Sequence, residues 1–342
     1  MPIPEFMALC LGDPEHGYYM TRQPFGADGD FITAPEVSQM FGELIGAWLA
    51  TVWDAIGRPD PVNVVELGPG RGTLMADILR TFAKVPQLIA AARVQLVEMS
   101  PRLRAVQAQT LATAPTRARW HDTIATLPAG PMLLVANEFF DALPISQYIR
   151  VGNVWRERVI ALDAADNLTF AIGAGRLFAA EEPQNLSAVE AGAILETGPI
   201  ATAIASELAL RIVEQGGAGL VIDYGYVETT IGDSLQAVAS HKSVDVLTRP
   251  GEVDVTVHVN FEALARAARH AGAAVAGPTT QGDFLINLGL LQRAGRLGSG
   301  KDRATQERLR SEVERLAGPA EMGNLFKVMA ITPPATPVSG FS

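Results

Sequence analysis

The chain has 342 residues, 48% apolar and 19% charged, with a formal net charge of −10 at pH 7. That length exceeds one usual domain and fits a core with accessory parts. The negative charge argues against a nucleic-acid partner, whose binding rests on phosphate neutralisation by Lys and Arg. The one cysteine, Cys10 between Leu9 and Leu11, allows no intrachain disulfide; it points to a reducing compartment and reads as buried filler. No stretch reaches the roughly 18 apolar residues of a membrane span, and no basic region followed by an apolar run opens the chain. A cytoplasmic protein of bacterial type is therefore expected, since a mitochondrial precursor would carry an Arg-rich presequence.

Residues 1–60 are expected to lie outside any sheet. Phe41, Leu44, Ile45, Trp48, Leu49, Val52 and Trp53 recur at helical spacing, which predicts an amphipathic helix over 37–56. Before it, Gly26, Gly29, Thr33, Ala34 and Pro35 make a flexible polar loop able to fold across a ligand and exclude water. Thr33, Glu36 and Ser38 are candidate contacts there, though Thr33 or Ser38 would serve equally as a helix cap.

Residues 62–67 form a short β-branched run, as a buried parallel strand requires. Leu74, Met75, Ile78, Leu79 and Phe82 then share one helical face. Between them lies ELGPGRG, 66–72. Gly68, Gly70 and Gly72 permit positive φ and remove the Cβ atoms that would hold a ligand off the backbone, and Pro69 stiffens the turn. A dinucleotide site wants G-x-G-x-x-G with a pyrophosphate on the helix N-terminus. Here the spacing is G-x-G-x-G, preceded by Glu66. That resembles the E/D-x-G-x-G-x-G loop of class I S-adenosylmethionine methyltransferases, where an acid suits the ammonium of the amino acid moiety.

A second strand over 94–97 ends at Glu98, placed to accept both hydroxyls of an adenosine ribose. The same acid is expected in an NAD site. Its separation from the loop is long, which implies a lengthened crossover around 86–92. Residues 119–121 form a short third strand ending at Asp122, either a contact for the adenine amino group or a helix cap. A fourth strand, 132–136, runs into NEFFDALP, 137–144. Ligands of open α/β sheets bind beyond the carboxyl ends of the strands, so Asn137, Glu138 and Asp141 are candidate catalytic groups. Helix N-terminal charge is the alternative for the two acids.

Beyond this turn, 148–151 and 154–160 read as a hairpin around Gly152-Asn153, with a further strand near 168–172 and an Ala-rich helical stretch over 188–213. The sheet resumes at 220–223, so the hairpin region is an insertion, suited equally to a protein substrate or to a homodimer contact. An alternating strand over 253–259 contains His258, more simply a satisfied structural histidine than a base. Arginines and glutamates interleave from Arg303 to Arg315 as a solvated helix face. The tail after Thr332 is expected to be ordered only at its start. The organisation is thus 1–60 (helical segment and covering loop), 61–147 (first half of the cofactor core), 148–215 (insertion), 216–332 (second half) and 333–342 (tail).

Eight motifs in order resemble one family: HGYY (16–19), GDFITAPEVSQMFG (29–42), ELGPGRG, NEFFDALP, VIDYG (221–225), VHVNF (257–261), TQGDFL (280–285) and GNLFKVM (323–329). The chain is similar along nearly its whole length to the MidA family of complex I assembly methyltransferases. The resemblance implies an α/β fold of the class I methyltransferase (Rossmann-like) type, with a mostly parallel sheet. It also implies S-adenosylmethionine as cofactor, and symmetric dimethylation of an arginine in the subunit that helps form the complex I quinone site. Two positions depart from the family pattern: Asn260 where an aspartate is expected, and Val238 near an expected aromatic. His16, His121, His241, His258 and His270 are scattered without metal-ligand spacing, and neither a phosphate loop nor a G-x-S-x-G elbow occurs. A nicotinamide or flavin oxidoreductase, or a non-catalytic assembly chaperone retaining the pocket, remain as rival readings.

Overall fold

The computed structural model describes every residue except 23–32, 179–188, 240–241 and 342. The strands in chain order are β1 (Val62–Leu67), β2 (Ala92–Val97), β3 (Ala118–His121), β4 (Met132–Asn137), β5 (Ser146–Val151), β6 (Val154–Leu162), β7 (Leu168–Arg176), β8 (Ile194–Thr197), β9 (Gly217–Tyr226), β10 (Gln236–Ala239), β11 (Lys242–Val244), β12 (Asp254–Thr256), β13 (Val259–Asn260), β14 (Ala274–Thr280) and β15 (Phe326–Thr332). The main sheet runs β14-β15-β9-β4-β1-β2-β3, with β13 also pairing β9. β3, β2, β1, β4 and β9 are mutually parallel. β15 is antiparallel to both of its neighbours. Chain order reverses between β1 and β4, and that switch point is where such a sheet leaves a ligand crevice at its carboxyl edge.

Both faces of the sheet are covered, which is why β1, β4 and β9 read as near-continuous apolar runs. One face packs on the helices Gln39–Ala55 and Thr73–Phe82 through Phe41, Trp48, Ile78 and Phe82. The other packs on Pro199–Gln215 and Phe261–His270 through Leu208, Ile212 and Leu264. The long crossover holds its own helix, Pro86–Ala91, as the spacing to Glu98 required. β5 to β8 form a separate antiparallel sheet and β10 to β12 another. The helix Ile3–Gly12 buries Ile3, Phe6, Met7 and Cys10 against Val253 and Val255, so Cys10 is core filler.

Four elements differ from the sequence expectation. The helix expected over 37–56 is split into Ala34–Val37 and Gln39–Ala55, because Ser38 is extended and its Oγ accepts from Met40 N. The helical stretch expected over 188–213 begins only at Pro199; before it, Leu195 and Ile194 pair with Tyr148 and Ile149 as strand β8, and residue 188 lies outside the described residues. The strand expected over 253–259 breaks into β12 and β13, because the N–H of Val257 turns aside to donate to Asp141 O, 3.0 Å. The tail is packed rather than loose: Trp48 Nε1 donates to Ser339 O, 3.0 Å, and Phe341 stacks at 5.1 Å on Phe284.

Candidate functional site

The carboxyl end of β1 becomes the glycine loop, and Gly68, Gly70 and Gly72 all sit at positive φ, 59°, 51° and 82°. A Cβ on Gly68 would stand 3.1 Å from Phe139 Cδ2, so this loop and the acidic turn after β4 touch. The Pro69 carbonyl accepts from Gly72 N, which closes the loop onto the helix. Glu66 is buried and accepts from Met75 N, while its Oε2 has no partner. Burial drives its carboxyl up to about 8, only partly countered by that N–H and reinforced by Asp77. A buried acid with an unused oxygen costs free energy until a cation or donor meets it.

Glu98 follows β2. Its Oε1 accepts from Ser100 N and its Oε2 from Gln107 Nε2, 2.8 and 3.2 Å. Gln107 escaped the sequence reading. It is fully buried, its Nε2 also donates to Gly70 O, 2.8 Å, and its Oε1 accepts from Trp120 Nε1, 2.8 Å. The side chain thus ties the glycine loop, Glu98 and β3 into one frame. Asp122 caps no helix; it is exposed and paired with Arg104 Nη2 at 2.6 Å, on the same edge as Glu98.

The turn after β4 gathers the other acids. No helix begins there, so Glu138 and Asp141 do not serve as helix-end charges. Glu138 has φ 52°, a backbone region costly for a side-chain-bearing residue and found where a site over-determines it. Asp223, within β9 and fully buried, supplies that constraint. Its Oδ2 accepts from the backbone N–H groups of Phe139, Phe140 and Asp141 at 3.2, 2.9 and 3.3 Å. Glu138 Oε1 accepts from Asn137 Nδ2, 3.0 Å, and Ala34 N, 3.3 Å. Asp141 Oδ2 accepts from Tyr224 OH, 2.7 Å, whereas Asp141 Oδ1 and Asn137 Oδ1 are buried without partners. Burial and the neighbouring Asp141 push Glu138 up to about 8, burial raises Asp141, and burial with the charges of Asp141 and Glu138 raises Asp223.

The covering segment meets both halves of this site. Thr73 Oγ1 donates to Glu36 Oε1, 2.6 Å, and Arg71 lies 3.6 Å from Glu36 Oε2. Thr33 precedes the helix Ala34–Val37 without a side-chain cap, while Ser38 caps Gln39–Ala55 and donates to Glu312 Oε2, 2.7 Å. The start of the expected loop, with Gly26 and Gly29, lies outside the described residues, as does His241. His258 packs edge-on against Tyr224 at 5.5 Å as a structural neighbour. Asn260 Oδ1 accepts from Ala263 N as the cap of Phe261–His270, a task an aspartate performs equally, so that departure leaves the fold intact.

These raised acids make a pH prediction with a definite sign. A carboxyl whose folded value lies above its unfolded 4.5 binds more protons in the native state, so stability falls as pH rises from about 4.5 to 8. Melting of the ligand-free protein should therefore drop by roughly 5 °C or more across that window. A bound cationic ligand should flatten the curve. A melting temperature that rises steadily from pH 5 to 8 without ligand would refute the protonated state of Glu66 and Glu138.

A glycine loop, an acid after the second strand and an acid-lined turn at the switch point of a mostly parallel sheet fit an S-adenosylmethionine-dependent methyltransferase. Residues 44–279 match the model of a family described as a putative S-adenosyl-L-methionine-dependent methyltransferase, and this chain belongs to that family. It is 35% identical to the protein arginine methyltransferase NDUFAF7, mitochondrial, of Xenopus laevis, over 99% of this chain and 85% of that protein. It is likewise 35% identical to the human protein of the same name, over 97% and 80%. A likely methyl transferase from Burkholderia thailandensis, bound to S-adenosyl-homocysteine, superposes with a TM-score of 0.84 at 30% identity, covering 97% of this chain and 87% of that one. The choice between cofactors thus falls to S-adenosylmethionine rather than a dinucleotide. The expected cytoplasmic location is overturned, because these relatives are named mitochondrial. Among the described residues no helix is long and apolar enough to cross a membrane.

Proposed function

We propose that this chain methylates an arginine of a protein, forming symmetric dimethylarginine on the quinone-site subunit of complex I. The observation that carries the chemistry is the partnerless, buried Asp141 Oδ1 beside Glu138, in a turn whose acting charges are other acids. Such a site is completed by a cation rich in N–H donors, and a guanidinium is one. The names of the relatives support an arginine target.

In this reading Gly68, Pro69, Gly70 and Gly72 offer main chain to the cofactor, and Glu66 faces its amino group. Glu98 takes the ribose hydroxyls, with Asp122 toward the adenine. Thr33 lines the cover, and Ser38 holds that cover in place through its cap. S-adenosylmethionine, when bound, supplies an electrophilic methyl on a sulfonium. The chain's own task is positioning and charge. Asn137 orients Glu138; Glu138 and Asp141 hold the guanidinium, localise its charge and take the proton that nitrogen loses when its bond to the methyl carbon forms. A guanidinium with pKa above about 12 needs that assistance to be a nucleophile.

The test is methyl-labelled S-adenosylmethionine with the purified chain and quinone-site subunit peptides, read by mass spectrometry. Label on arginine, ending as the symmetric dimethyl form and lost from an Arg→Lys peptide, is the expected result. Label on lysine, or transfer only to small molecules, would discard the arginine assignment.

A further inference from the structure

Asp223 and Tyr224 are consecutive in β9, yet they act on different parts of the neighbouring turn. Asp223 holds its main chain through three N–H groups. Tyr224 holds a side chain, donating its hydroxyl to Asp141 Oδ2 at 2.7 Å. The phenol ring is itself fixed, edge-on to both His258 and Phe326 at 5.5 Å. With Oδ2 occupied, Asp141 is left with one free acceptor, Oδ1, buried and without a partner beside Glu138. Sequence reading passed over Tyr224 because its partner lies 83 residues away.

We propose that Tyr224 is a positioning residue that selects a guanidinium at this site, by fixing Asp141 so that its free oxygen and Glu138 face one planar fork of N–H donors. The inference rests on the arginine reading above. A guanidinium has a fixed fork and rewards two carboxylates held at a set aim, whereas an ammonium is a point charge with rotatable donors and tolerates misalignment. Fixing a carboxylate therefore matters more for arginine than for lysine. The titratable groups facing Asp141 are Glu138 in its own turn, Asp223 and Tyr224 on β9, and Tyr19 from the helix Tyr18–Thr21, which also bonds Asp254. Burial opposes ionisation of Asp141, and the Tyr224 hydroxyl favours it.

The test compares wild type, Tyr224→Phe and a control, Tyr226→Phe, each saturated with S-adenosylhomocysteine, using methylguanidinium and methylammonium as probes in calorimetry. Wild type should prefer methylguanidinium. Tyr224→Phe should weaken methylguanidinium at least tenfold while keeping methylammonium within about threefold and S-adenosylhomocysteine within about twofold. Tyr226→Phe, whose hydroxyl meets Asn260, should change neither probe. Equal methylguanidinium affinity in Tyr224→Phe would overturn the role of Tyr224 while leaving the arginine reading standing. Loss of S-adenosylhomocysteine binding in that variant would overturn it too, by making the hydroxyl a structural need of the whole pocket. A wild type without preference for methylguanidinium would remove the arginine reading and this inference together.

Discussion

Glu138→Gln should bind S-adenosylhomocysteine within about twofold of wild type and lose methyl transfer by roughly 10²- to 10⁴-fold, the range of a positioned acid–base group. The amide keeps the shape of the side chain, and its carbonyl oxygen still accepts from Asn137 Nδ2 and Ala34 N. Only the charge and the proton-accepting oxygen are gone. Because burial and Asp141 raise the Glu138 carboxyl to about 8, wild-type kcat/KM should climb with pH up to that value and then level. The variant should lack that limb. It should also melt no lower than wild type above pH 8, since a buried charge that opposes folding has been removed. Turnover equal to wild type in Glu138→Gln would take this residue out of the reaction. Lost cofactor affinity would instead make it part of the cofactor pocket. Separate titrations of cofactor and peptide tell these outcomes apart.

The features that were legible from residues alone are those whose signal is local. The apolar run of β1, the three alternating glycines and the helical face of Thr73–Phe82 each lie within a few residues of their structural consequence. An acid ending a strand marked Glu66 and Glu98 in the same way. The same rule applied to the apolar run before Asp223 would have singled out that residue, although β9 continues past it to Tyr226. Its actual task was not readable, because the N–H groups it accepts lie 82 to 84 residues earlier in the chain. Gln107 gave no signal at all, being one polar residue in a weakly patterned helix whose three partners come from three other segments. The missed strand β8 follows the same logic. Ile194 and Leu195 are extended because β5 offers them a sheet edge, and alanine content beyond Pro199 masked that boundary. The docked tail depends on Trp48 and Phe284, residues far away in sequence that present an acceptor-seeking N–H and an aromatic face.

Gly70→Val should reduce affinity for S-adenosylmethionine and S-adenosylhomocysteine by at least about 100-fold, since it attacks the loop in two ways at once. Position 70 has φ 51°, and a side chain there costs roughly 1–2 kcal/mol, more for a β-branched one. The ligand-free protein should accordingly melt about 2–6 °C lower. Strain alone, however, would not erase binding. The larger loss comes from placing two methyl groups where cofactor atoms must approach main chain, and from disturbing the Gly70 carbonyl that accepts from Gln107 Nε2. That amide also donates to Glu98, so a displaced loop loosens the proposed ribose contact as well. Gly70→Ala separates the contributions, because it carries most of the backbone strain with little of the bulk. An alanine variant that binds within tenfold of wild type, beside a valine variant that does not bind, would assign the effect to steric exclusion. Calorimetry with NAD as control reads the same variants against the dinucleotide alternative. Undiminished affinity in Gly70→Val would mean that the cofactor lies elsewhere, and the placement of Glu66 and Glu98 around it would fall with the loop.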